Sequence, residues 1–190
     1  MGRIVVTEFV SLDGVMEDPG GDGDFRHRGW SFEFERGEEG NEFKTEETMP
    51  AEALLLGRVT YEGFARAWPS RSGEFADKFN SMPKYVVSST LQEPLEWNNA
   101  RLLEGDLVEE VRKLRAASGG DVVVHGSAQL AQTLIDQDLV DELRLMVFPV
   151  VLGEGKRLFG PTGDKKGWRL TRAKPVGEGV LTLVYQPATE

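Results

Sequence analysis

The chain has 190 residues, 39% of them apolar, with a formal net charge of −10 and a pI near 4.8. This is enough apolar material for a core of ordinary size, and the acidic balance argues against nucleic-acid or anionic-membrane partners, which select Lys and Arg clusters. There is no cysteine, which excludes disulfides and thiolate chemistry, and the two histidines, His27 and His125, are too few for a histidine-rich metal site, so no metal is expected.

The first apolar run, residues 3–10, is rich in β-branched residues and ends at Ser11-Leu12-Asp13-Gly14, a turn signal. It starts at once, without the charged-then-apolar layout of a signal peptide. No apolar run approaches the roughly 20 residues of a membrane span. A soluble, cytoplasmic protein is the expectation. Residues 17–40 form a long polar segment that carries Phe25, His27, Trp30, Phe32 and Phe34. A connection that long is usually functional or disordered, and its aromatics favour function.

A weak helical pattern covers 41–51. ALLL (53–56) reads as a short buried strand ending at Gly57. The helix expected from Thr60 places Tyr61, Phe64, Ala65 and Trp68 on one stripe, and Pro69 stops it. A short helix is expected over 75–82, then a strand, KYVVSST (84–90), that runs into three hydroxyl residues. After an edge-like strand at 100–103, Asp106 is the expected N-cap of a helix with Glu109 three residues on. Gly119-Gly120 ends that helix, VVVHG is the next strand, and Leu130, Ala131, Leu134 and Ile135 form the next stripe. Beyond Leu139 come a long strand-like run broken by Pro149, a loop (GEGKRLFG), and an antiparallel pair over 168–174 and 180–185. Helices alternate with strands early, and strands stand alone late. The prediction is a mostly parallel α/β sheet extended by antiparallel strands, with residues 1–190 read as a single domain.

Three strand ends stand out together. Gly57, Arg58 and Thr60 lie where one strand gives way to a helix, Ser88, Ser89 and Thr90 lie just past another, and Gly126, Ser127 and Ala128 form a second strand-to-helix turn. In an open α/β sheet, ligands bind outside the carboxyl ends of the strands. A helix N-terminus offers free N–H groups and partial positive charge to a phosphate. Glycine lets the phosphate approach, Ser or Thr adds a hydroxyl, and Arg58 adds a charged fork. Taken singly, Ser127 also reads as a plain N-cap, Ser88-Ser89 as a loop, Gly57 as a turn and Arg58 as a surface charge. The G-x-G-x-x-G fingerprint, the P-loop, the EF-hand spacing and the G-x-S-x-G elbow are all absent.

The motifs SLDG (11–14), LLLGRVTYE (54–62), YVVSST (85–90), VVVHGSAQL (122–130) and FPVVLGEGKRLF (148–159) give a resemblance over nearly the whole chain. The sequence resembles the dihydrofolate reductase superfamily, and within it the stand-alone relatives of the reductase domain of the riboflavin-biosynthesis deaminase/reductase proteins. The resemblance implies a three-layer α/β/α fold with a mixed sheet and an NADPH cleft. It implies that Gly57, Arg58 and Thr60, with Gly126, Ser127 and Ala128, hold the diphosphate. Ser88, Ser89 and Thr90 then meet the adenosine 2′-phosphate, so NADPH rather than NADH is expected. Asp13 is placed beside the nicotinamide and substrate, and the segment 15–40 becomes a mobile loop over the site. His125 stands where dihydrofolate reductases carry the first of two glycines.

The expected activity is hydride transfer from NADPH to a small heterocyclic substrate, similar to 5-amino-6-(5-phosphoribosylamino)uracil reductase. Asp13 is the candidate proton donor or water-orienter, although an Asp-Gly pair is also an ordinary turn. Trp30, Tyr61 and Phe64 are candidates for a flat substrate pocket, with Phe64 also readable as core from its helical stripe. No acid is clearly placed for a pteridine ring, so a true dihydrofolate reductase is the lesser expectation. The alternative from another class is a non-catalytic dimeric NADP-binding module. The resemblance implies a homodimer.

Overall fold

Strand β1 (Arg3–Ser11) sends Ile4, Val6 and Val10 into one core and Val5 and Phe9 into two others. Burial on both faces explains why the run reads as continuously β-branched instead of alternating. Seven further strands follow: β2 (Ala53–Gly57), β3 (Lys84–Val87), β4 (Ala100–Leu102), β5 (Asp121–His125), β6 (Glu142–Phe148), β7 (Trp168–Val176) and β8 (Val180–Pro187). In the computed structural model, which describes residues 1–188, they form one sheet of order β4-β3-β2-β5-β1-β6-β8-β7. The strands from β4 to β6 run parallel, and β8 and β7 close the sheet as antiparallel neighbours. The expected mixed, mostly parallel sheet with late antiparallel strands is the observed one.

Helices α1 (Gly37–Thr48), α2 (Arg58–Ala67) and α3 (Glu74–Ser81) cover one face; α4 (Leu107–Ala117) and α5 (Ala128–Asp136) cover the other. Val111 and Leu114 of α4 and Leu130, Ala131, Leu134 and Ile135 of α5 pack on Ile4, Val6, Val122 and Val124. Each such Val, Leu or Ile side chain, fully buried, contributes about 1.5–3 kcal/mol. The chain leaves β1 and β2 toward the α1–α3 face but leaves β5 toward the opposite face, crossing β1 to reach β6. Neighbouring strands whose connections depart to opposite faces open a crevice at their carboxyl ends. Here it opens at β5, between β2 and β1.

Several element bounds differ from the sequence reading. Helix α1 begins at Gly37, four residues earlier than expected, with Glu38 and Glu39 in its first turn, where acids suit the helix dipole. Helix α2 begins directly at Arg58. Strand β3 ends at Val87, because Ser88 Oγ accepts the N–H groups of Thr90 and Leu91 and folds the hydroxyl residues into a turn. Strand β6 stops at Phe148, before Pro149. The Asp106 cap forms as expected, accepting the Glu109 N–H at 3.0 Å. The segment before α1 holds a short 3₁₀ turn (Trp30–Glu33), pinned where Trp30 Nε1 donates to the Glu17 carbonyl and Ser31 to that of Pro19. Among the described residues, no helix is long and apolar enough to cross a membrane.

Candidate active site

The crevice is built where the first turns of α2 and α5 meet. Gly126 has φ +55° and Ser127 φ +61°, so two successive residues are left-handed as β5 turns into α5. A left-handed serine costs about 1 kcal/mol or more, and hydrogen bonds hold it there. Ser127 Oγ accepts the Gly57 N–H at 2.8 Å and donates to the His125 carbonyl at 3.0 Å, while the Ser127 N–H donates to Thr60 Oγ1 at 2.9 Å. Ser127 is therefore not a plain N-cap: its hydroxyl ties one turn to the other. Neither α2 nor α5 receives a side-chain cap, so the N–H groups of both first turns stay available. A Cβ on Gly126 would lie 2.7 Å from Thr60 Oγ1, and one on Gly57 would lie 3.3 Å from Ser127 Cβ. Two helix dipoles thus converge on a surface that only glycine leaves open, which suits a diphosphate.

The structure brings Gly57, Thr60, Gly126, Ser127 and Ala128 together. The Arg58 guanidinium, exposed at the start of α2, pairs with Glu62 at 2.9 Å. Ser88, Ser89 and Thr90 follow β3, whose Val87 is in register with Gly57, so they sit one strand further along the same carboxyl edge. Ser88 is committed to its turn, while Ser89 and Thr90 are exposed.

Asp13 is held differently from the expectation. Oδ1 accepts from Ser11 Oγ at 2.6 Å and from the Leu152 N–H at 3.1 Å, and Oδ2 accepts from the Gly153 N–H at 2.9 Å. The Ser11 hydroxyl, followed by these N–H groups, outweighs desolvation and holds the carboxyl at about 2, below its ordinary 3.8. An acid this strong and this engaged is a poor proton donor at neutral pH. Asp13 instead staples the loop after β1 to the segment after β6. A depressed carboxyl stabilises the fold above pH 3.8 and loses that contribution as pH falls through about 2. Asp13→Asn is expected to lose about 1–2 kcal/mol at pH 7 and to flatten the stability decline between those pH values, as read by urea denaturation across pH.

The three aromatics expected to line a substrate pocket belong to cores. Trp30 is 1% exposed and meets the Phe148 ring edge-on at 5.4 Å. Its polar neighbours in sequence hide this tertiary contact. Tyr61 is buried against Trp97, and its hydroxyl accepts the Trp97 N–H. Phe64 packs among Trp68, Phe79 and Trp97, as its helical stripe also allowed. A cleft of about 510 Å³ opens instead between the 3₁₀ turn and α1, with Phe32, Phe34, Arg36 and Asn41 on its walls. Arg36 and Lys44 both lie over the Phe9 ring, at 5.4 and 5.2 Å.

Beyond Phe9 lies a buried polar group that sequence reasoning missed. Thr7, Glu8, Glu47, Thr48 and His125 are each at most 9% exposed. Thr7 Oγ1 donates to Glu47 and accepts from Lys44 Nζ, and Lys44 pairs with Glu47. Glu8 Oε2 accepts the Gly126 N–H at 3.1 Å. Burial pushes the Glu8 carboxyl well up, and burial with the Lys44 charge pushes the His125 imidazole well down. Glu8 was visible as a carboxylate inside an otherwise apolar strand. Lys44 and Glu47 carried no signal, being ordinary members of a polar helical pattern. Among the described residues, no group of three or more His, Cys, Asp or Glu is placed to hold a metal ion.

Comparison with known proteins gives consistent results. The profile described as RibD C-terminal domain matches residues 3–182. The uncharacterized protein YyaP of Bacillus subtilis (strain 168) is 30% identical over 188 residues, covering 96% of this chain and 94% of that protein. YwjB, also uncharacterized and from the same organism, is 28% identical over 90% of each chain. Among solved structures, a putative riboflavin biosynthesis protein from Shewanella sp. PV-4 superimposes with a TM-score of 0.79 at 21% identity, over 98% of this chain and 99% of that one. Dihydrofolate reductase from Enterococcus faecalis, solved as a complex with NADP(H), superimposes with a TM-score of 0.64 at 17% identity, over 98% and 97%.

Proposed function

The chain belongs to the RibD C-terminal domain family, and from that premise we propose that it is an NADPH-dependent reductase that transfers a hydride to a small heterocycle. The observation that carries the reading is the meeting of two uncapped helix N-termini across Gly57 and Gly126. The E. faecalis structure with NADP(H), on the same fold, supports it.

In this reading Gly57, Thr60, Gly126, Ser127 and Ala128 seat the diphosphate, with the exposed Arg58 side chain, paired with Glu62, at the rim to add charge. Ser89 and Thr90 meet the 2′-phosphate, and Ser88 shapes their turn. When bound, the dinucleotide supplies the hydride, and the chain aligns it with an electron-poor C=N or C=C bond. The substrate ring lies against Phe9 and Phe34, with Arg36 and Lys44 beside it. The test is NADPH oxidation, followed optically, across a panel of pyrimidines, pterins and quinones. Turnover of at least one heterocycle supports the reading; NADPH binding with no oxidation of any of them favours the non-catalytic module.

The proposed assembly is a homodimer. Leu170 and Leu181 are 48% and 36% exposed on the β7–β8 pair. They sit in register with Tyr185 and Val147 on a face opposite the one that α1 ties down through the Arg172–Glu46 and Lys174–Glu39 ion pairs. An apolar sheet face left open calls for a cover. Leu181→Glu is expected to shift the protein from dimer to monomer in sedimentation velocity.

A further inference from the structure

Among the described residues, the buried side-chain atoms Glu8 Oε1, Thr48 Oγ1 and His125 Nε2 have no hydrogen-bond partner, whereas Glu47 Oε1 is met by the Lys44 ammonium. Buried polar atoms are nearly always satisfied, so such a concentration needs a reason. Glu8 and His125 stand where β1 and β5 part. Their pairing ends at Thr7 with His125, while β1 stays paired with β6 as far as Ser11. Glu8 is the next residue after the split. One of its oxygens holds the Gly126 N–H of the phosphate turn, and the other, Oε1, is unpaired in a side chain only 5% exposed.

Position along the sheet edge gives Glu8 its meaning, and this step rests on the function proposed above. The 2′-phosphate turn follows β3, and the diphosphate turns follow β2 and β5. The next strand is β1. Three inter-strand steps of about 4.8 Å run from β3 to β1, the scale of an extended dinucleotide. A cofactor laid along this edge brings its nicotinamide end to Glu8. The charged groups that act on Glu8 are Lys44 and Glu47 from α1; His125 of β5, which Lys44 also acts on, pairs in register with the preceding residue Thr7, and on its β6 side Glu8 pairs with the apolar Leu145.

We propose that Glu8 is the proton store of this site, uncharged beside the reduced ring and ionised beside the oxidised one. In turnover a hydride passes to carbon of the substrate C=N or C=C bond, and the Glu8 carboxyl gives its proton to the other atom of that bond. Glu8 would then be left as a carboxylate at the end of the site where the oxidised, cationic ring would lie. Solvent returns the proton once the cation has left. Burial keeps the acid neutral until that cation appears, and the pair then neutralises itself.

The test needs no substrate. NADP⁺ and NADPH are titrated calorimetrically into the wild-type protein at pH 7, in two buffers of different ionisation enthalpy. NADP⁺ should release about one proton per nucleotide bound and NADPH none. Glu8→Gln, which keeps an acceptor for Gly126, should abolish the release and weaken NADP⁺ about tenfold relative to NADPH. Infrared difference spectra of the wild type should show a protonated-carboxyl band that disappears when NADP⁺ is added, a readout independent of how well the variant folds. NADP⁺ binding with no proton release, release that persists in Glu8→Gln, or a carboxyl band that survives NADP⁺ would each overturn the assignment while leaving the reductase reading intact. Failure of both nucleotides to bind would instead overturn the reductase reading.

Discussion

Gly126→Val is expected to weaken NADPH binding by at least about 100-fold, equivalent to about 2.7 kcal/mol. Gly126 has φ +55°, a region that a β-branched residue enters only under strain. Its Cβ would also meet Thr60 at 2.7 Å from Oγ1 and 3.1 Å from Cγ2. Relief requires the first turn of α2 to move away from α5. That breaks the Ser127–Thr60 and Gly57–Ser127 hydrogen bonds, which tie the start of α2 to the start of α5. The fold itself should survive with a loss of about 1–3 kcal/mol, because β5 keeps its register with β1 and β2. The control is Gly63→Ala in α2, where a Cβ meets nothing within 4 Å. It should bind NADPH as the wild type does and gain up to about 1 kcal/mol in stability.

Ser89→Asp is expected to raise the Kd for NADPH about 30-fold and to change that for NADH by less than about threefold, so that the preference between the cofactors narrows sharply. Ser89 is exposed at the carboxyl end of β3, one strand from the Gly57 turn that follows β2. A carboxylate at about 4 Å from a phosphate near a protein surface is repelled by a few kcal/mol at most, and salt reduces this. Thirtyfold corresponds to about 2 kcal/mol. NADH lacks the 2′-phosphate and so lacks the repulsion. Ser88 is the wrong position for this test, because its hydroxyl holds the N–H groups of Thr90 and Leu91 and its loss would unfold the turn. Equal weakening of both nucleotides by Ser89→Asp would place the 2′-phosphate elsewhere.

The parts of the fold that sequence made legible are those set by local chemistry. The Asp106 cap, the stop before Pro149 and the stripe of Leu130, Ala131, Leu134 and Ile135 all depend on near neighbours in the chain. So do the strand-to-helix glycine turns, which is why Gly57 and Gly126 could be singled out. Their meeting could not be read locally. It depends on β5 inserting between β2 and β1, a choice made by the whole sheet. The same limit misplaced the aromatics. Trp30 has polar sequence neighbours, yet Phe148, far along the chain, buries it. Asp13 read as a candidate proton donor or an ordinary turn because two of the groups that engage it, the Leu152 and Gly153 N–H groups, are distant in sequence. The pairing of Lys44 with Glu47 against Thr7 is invisible for that reason too.

Every role proposed for this chain requires that the turns after β2 and β5 together hold a dinucleotide diphosphate. Calorimetric titration of NADPH into the wild type and into Gly126→Val and Gly63→Ala tests it most directly. The predicted result is saturable one-to-one binding to the wild type and to Gly63→Ala, with at least about a 100-fold loss in Gly126→Val. No wild-type binding at millimolar NADPH, or equal affinity in Gly126→Val, would contradict it.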